Sequence, residues 1–205
     1  MLQNAFPDNK NSDNRDLNNI SKNTSSIIDM IQLEDFNQQI YEQFSSLLEK
    51  KKLTNQLNDS VSVQEFIAES KRLNIIEKAP FYVAKCLFTD QIVKEIEAYR
   101  ILLYQLCKNN MARQRSLLIA IEMIINENSE LQDRLLNTGC ISRIFYELYQ
   151  KDIVTEEVFC HWHEQNATEV INETISTEIR DCAKNFIEWL HSAEEGSDED
   201  DNRSK

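Results

Sequence analysis

Residues 90–106 read DQIVKEIEAYRILLYQL, with apolar side chains Ile92, Ile96, Tyr99, Leu103 and Leu106 at steps of four, three, four and three. That is the period of a helix burying one face; a half-buried strand would alternate every second residue. Asp90 stands where an N-cap belongs. The spacing predicts one long helix here.

The same rhythm extends in both directions. Upstream, Phe36, Ile40, Phe44 and Leu47 share a helix face that runs into Lys50, Lys51 and Lys52, cations suited to a helix C-terminus. Ser62 with Glu65 reads as a capping box for a helix burying Val63, Phe66 and Ile67, and Pro80 fits the first turn of the next. Downstream come Leu117, Leu118, Ile121, Ile124 and Ile125, then a short helix opened by Ser129 and Gln132 and stopped at Gly139. Ile141, Ile144, Phe145, Leu148 and Tyr149 form another face. Thr155 is placed to cap a helix bearing Val158, Phe159 and Trp162, and Ile175, Ile179, Cys182, Phe186 and Leu190 make the last. The expectation is all-α: eight to nine helices in antiparallel pairs stacked side by side. An Asn-rich leader over 1–32, poor in apolar side chains, is expected to be disordered. A helical domain over 33–193 and an acidic disordered tail over 194–205 complete the organisation.

Composition narrows the function. Two glycines, Gly139 and Gly196, leave no room for a phosphate-cradling loop, and two prolines give too few turns for a sheet-rich fold. The five cysteines, Cys86, Cys107, Cys140, Cys160 and Cys182, have neither disulfide-framework nor zinc-ribbon spacing, which points to a reducing compartment. With no signal-peptide pattern and no long apolar run, a cytoplasmic location is expected, without membrane contact.

The formal net charge is −13 over 205 residues, and it is segregated. Residues 145–201 hold 16 acidic side chains against three basic ones, Lys151, Arg180 and Lys184, so this stretch carries the whole net charge. Solubility requires no such segregation, and a one-signed cluster repels itself unless a cation relieves it. The inference is a basic protein partner rather than nucleic acid. His161 and His163 are two apart on a helix and point to different faces, so they cannot share a metal; no metal, cofactor or catalytic grouping is expected.

Two blocks in this acidic third carry a resemblance. Ile144-Phe145-Tyr146-Glu147-Leu148-Tyr149-Gln150-Lys151-Asp152-Ile153-Val154-Thr155-Glu156-Glu157-Val158, followed by Trp162, resembles the first aromatic/acidic box of the W2 domain. Phe186-Ile187-Glu188-Trp189-Leu190, then Ala193-Glu194-Glu195 and Asp198-Glu199-Asp200-Asp201, resembles the second. Tyr99-Arg100, Cys107-x-Asn109-Asn110 and Gln114-Arg115-x-Leu117-Leu118 are similar to the initiation factor 5 branch rather than the exchange-factor branch of that family.

The resemblance implies a HEAT-like helical repeat, not an enzyme, which docks lysine-rich segments of the initiation factor 2 beta subunit and contacts initiation factors 3 and 1. Glu147, Asp152, Glu156, Glu157, Glu188, Glu194, Glu195, Asp198, Glu199, Asp200 and Asp201 are then the expected partner-binding acids. Trp162 and Trp189 hold the helices that present them. A monomer is expected. Residues 1–33 lack the cysteines of a zinc-bearing GTPase-activating domain, so GTPase activation is not expected of this chain. Lys94, Glu95, Glu97, Arg100, Lys108, Arg113 and Arg115 make a weaker cationic face than the family's, which weakens the expected factor 1 contact. Ser192 and Ser197 each precede an acid by three residues and are candidate phosphorylation sites.

Overall fold

The computed structural model describes residues 38–136, 139–164 and 171–195, with side chains through 192. The leader over 1–32, Phe36 and the tail beyond Glu195 lie outside the described residues. The chain divides between Gln43 and Phe44 into two units. The first is described only at 38–43, the opening of helix α1 (38–53); the second holds every other described helix.

The described secondary structure of that second unit is helical: the rest of α1, then α2 (Ser60–Arg72), a 3-10 turn (Ile76–Lys78), α3 (Ala79–Leu87), α4 (Ile92–Ala98) and α5 (Arg100–Cys107). After these come α6 (Met111–Asn126), α7 (Ser129–Leu136), α8 (Cys140–Gln150), α9 (Glu156–Glu164) and α10 (Glu173–Glu195). The all-α reading holds. The described helices number ten, not eight or nine, because the helix read from residues 90–106 is two.

The break falls at Tyr99, whose φ of −115° and ψ of 18° leave the helical well. Asn58 fills the gap, donating to the Ala98 carbonyl at 2.5 Å and accepting from the Leu102 N–H at 3.4 Å. A side chain forty residues upstream thus satisfies backbone groups that the break releases. The periodicity survives because Ile92, Ile96, Leu103 and Leu106 are all buried.

Several caps move by a few residues. Asp59, not Ser62, caps α2 and accepts from the Ser62 N–H, while Ser62 itself is buried in the first turn. Asp90 caps nothing; it pairs with Arg134 at 2.5 Å, whose guanidinium holds its carboxyl below the usual range. Asn128 accepts from the Leu131 N–H at 3.1 Å at the start of α7, displacing the expected Ser129 cap. Pro80 sits in the first turn of α3 as read. Gly139 is left-handed at φ 66°, directly before α8.

The core is continuous from Phe44 and Leu48 to Leu190. Leu48 is fully buried where Leu47 was expected. α3 packs chiefly on α6, and α8 chiefly on α10, with α9 set against both α6 and α10. The acidic third therefore folds as one three-helix corner on the α6 support.

Candidate functional site

α8 begins this corner. Ile141, Ile144, Phe145 and Leu148 point inward, and the helix stops at Lys151, followed by Asp152 at φ 54°. Asp tolerates this left-handed backbone better than most side chains, which permits the tight turn. Ile153 and Val154 plug the turn from within, and α9 follows, burying Val158, Phe159 and Trp162.

Gln114 on α6 underpins the turn. It is 2% exposed, and its carbonyl oxygen accepts from both the N–H and the hydroxyl of Thr155 at 3.0 Å. Its amide donates to the Cys107 carbonyl at 3.3 Å. Thr155 takes the capping position as read, its carbonyl accepting from the Val158 and Phe159 N–H groups, but its hydroxyl donates to Gln114 and anchors α9 to α6. In the sequence Gln114 stands out only as part of the family tract; flanked by Arg113 and Arg115, it shares a helix face with Leu117, Leu118 and Ile121, and that register was the available signal.

An aromatic nest joins the three helices. Phe145 lies 5.3 Å from Phe159 and 5.0 Å from Trp162, and Phe159 lies 4.9 Å from Phe186. Such pairs add about 0.5–1.5 kcal/mol each beyond their burial. The two indoles differ sharply. Trp162 is 2% exposed and beyond reach of a docked peptide, whereas Trp189 is 39% exposed and meets Tyr146 and Tyr149 edge-on at 5.3 and 5.7 Å.

The Arg180 guanidinium covers the Trp162 ring and pairs with Glu122 at 2.8 Å. Glu122 is 1% exposed and also accepts from the Ser176 hydroxyl at 3.0 Å. This buried network ties α6, α9 and α10 together.

The disposition of charge follows from these pairings. Lys151 turns away from the acidic third to meet Glu97 at 2.5 Å, and its hydrogen bond holds the Glu97 carboxyl below its usual range. Arg180 likewise turns to Glu122. Lys184 reaches Glu188 at 3.8 Å, an exposed pair of little energetic weight. Two of the three cations thus serve carboxylates outside residues 145–201.

The predicted acids divide by place. Asp152 and Glu157 are exposed at the α8–α9 turn, with Glu147 and Glu156 half-buried beside them. A cleft of about 310 Å³ at the C-terminal end of α8 is lined by Tyr149, Asp152, Thr155 and Glu156. On α10, exposed Glu178, Asp181 and Glu188 fall within roughly 80° of one another around the helix axis. Glu188 and Trp189 are adjacent on its outer surface. The side chains of Glu194 and Glu195, together with Ser197 and Asp198, Glu199, Asp200 and Asp201, lie outside the described residues. Ser192 is exposed and donates to the Trp189 carbonyl at 2.9 Å. Cys160 contacts His191 at 3.5 Å. Among the described residues, no helix is long and apolar enough to cross a membrane.

Comparison with known proteins places this corner. A family model described as W2: eIF4-gamma/eIF5/eIF2-epsilon matches residues 113–200. Eukaryotic translation initiation factor 5 of Drosophila melanogaster is 34% identical over 152 residues, covering 74% of this chain and 32% of that protein. The Pongo abelii factor 5 is 33% identical over 164 residues, covering 79% of this chain and 37% of that protein. The chain therefore spans well under half the length of either relative. A solved structure titled "The C-terminal Domain of Translation Initiation Factor 5 at low pH" superposes with a TM-score of 0.62 at 24% identity. It covers 80% of this chain and 97% of that one, so the two share a HEAT-like helical fold.

Proposed function

This chain carries an eIF5-like W2 domain, and on that premise we propose that it is a cytoplasmic interaction module of translation initiation, not an enzyme. Its α8–α10 corner docks lysine-rich segments, those of the initiation factor 2 beta subunit foremost, and initiation factors 3 and 1 are its further partners. The observation that carries the reading is the excess of 16 acidic over three basic side chains in residues 145–201, from which Lys151 turns outward to pair with Glu97. The cleft at the end of α8 and the acidic face of α10 present carboxylates a flexible ammonium can reach. The aromatic nest holds the three helices in register, so the acids are arrayed before the partner arrives.

Electrostatic docking of this kind is fast and strongly screened by salt. Titration calorimetry with a lysine-rich peptide of the beta subunit tests it. Binding at ~50 mM salt should weaken steeply by ~300 mM as the Debye length shortens. Absence of heat at the lower salt would remove the proposal.

A further inference from the structure

α8 and α10 leave an open groove of about 440 Å³ between them, lined by Ser142, Arg143 and Tyr146 from one helix and Asn185, Phe186 and Trp189 from the other. Its floor is the buried Phe186, and its walls are Tyr146 and Trp189, 42% and 39% exposed. The Ser142 hydroxyl donates to the Cys182 carbonyl at 2.7 Å and pins the helices together, so the groove is preformed. Tryptophan, tyrosine and arginine are the side chains most enriched as anchors at the centre of protein interfaces. All three meet here.

The groove's lining holds no carboxylate, and an ammonium entering it would meet the exposed Arg143. The lysine docking proposed above therefore does not use it. Yet the segment around it carries a net charge of −13, so a peptide drawn to this face is basic. An apolar slot with a cationic rim, set in an anionic surface, suits one kind of occupant. We propose that the groove seats an aromatic side chain embedded in a basic segment of a partner protein. The ring packs against Trp189 and Tyr146 with Arg143 stacked on its outer face, as guanidinium groups do on aromatics. Flanking lysines reach Asp181 and Glu188. The assignment rests on the basic-peptide reading and supplies what charge alone does not: selection among lysine-rich segments.

Fluorescence anisotropy with a decalysine peptide, and the same peptide carrying one central phenylalanine, tests it on the full chain. The phenylalanine peptide should bind about tenfold more tightly. Asn185→Phe, which fills the groove from its edge, should bring the two peptides to equal affinity without changing decalysine binding, and Trp189→Ala should likewise abolish the difference between the two peptides. Thermal melts identify any variant that fails to fold, and either variant alone suffices. Equal affinity of the two peptides for the unmodified chain would overturn the subsite and leave the basic-peptide reading standing. Failure of both peptides to bind at low salt would overturn both. Sedimentation showing a dimer that Asn185→Phe dissolves would assign the groove to a second copy, and also overturn it.

Discussion

The Arg180 guanidinium lies 4.7 Å from the centroid of the Trp162 ring while its other edge pairs with buried Glu122. One cation on α10 thereby braces the indole on α9 and neutralises a carboxylate on α6. Because Glu122 is 1% exposed, losing its partner would strand a charge in a low-dielectric site.

Arg180→Ala should accordingly destabilise the domain by about 3–5 kcal/mol. Lys184→Ala, which removes an exposed pair, should fall within ~0–1 kcal/mol. Urea unfolding of the two variants side by side measures the contrast; similar losses would mean that the buried network is not the brace.

Gln114→Leu should cost about 1–3 kcal/mol by leaving the Thr155 N–H without its partner and taking one of two donors from the Cys107 carbonyl, which keeps the Asn110 N–H. Amide exchange should quicken at the start of α9 before elsewhere, because Gln114 is the link that holds that turn to α6. Uniform quickening across all helices would contradict the local role.

Cys107 is fully buried, and desolvation pushes its thiol well above the ordinary value of 9.0. Above that value the unfolded chain releases a proton that the folded chain keeps, so this contribution to stability is complete at lower pH and lost as pH rises. The slope is about 1.4 kcal/mol per pH unit. Burial raises the Tyr82 hydroxyl as well, with the same sign. Comparing the parent with Cys107→Ala isolates the thiol: the variant's unfolding free energy should decline less steeply above pH 9, and parallel profiles would refute the assignment.

Neutralising the exposed acids Asp152, Glu157, Glu178, Asp181 and Glu188 as their amides should leave stability within ~1 kcal/mol, since surface substitutions away from buried features seldom do more. Affinity for a lysine-rich peptide should fall, and its dependence on salt should flatten. Denaturation melts and calorimetry on the same sample separate the two effects. Unfolding of the variant would make these groups structural.

Much of the fold was legible in the residues alone, for reasons that differ by position. Ile92, Ile96, Leu103 and Leu106 keep helical period through the Tyr99 break because burial dictates spacing whether or not the backbone is continuous. The break itself was hidden: its compensation comes from Asn58, and nothing local marks a partner forty residues away. The caps at Asp59 and Asn128 were displaced for a related reason, since several polar residues near a helix start compete and tertiary packing picks the winner. The charge segregation at 145–201 is a count and needs no coordinates. Which cations cancel it is a matter of geometry, as Lys151 and Arg180 show by pairing elsewhere.

Composition and period, being properties of the chain read in order, determined that this protein is all-helical and that its net charge gathers in the last quarter. Only the tertiary structure decided that Trp162 is sealed under Arg180 while Trp189 faces solvent beside Tyr146. Two indoles in similar helical patterns are indistinguishable until neighbouring helices bury one of them. The groove between α8 and α10 has the same origin, because a surface made by two helices belongs to neither sequence segment alone.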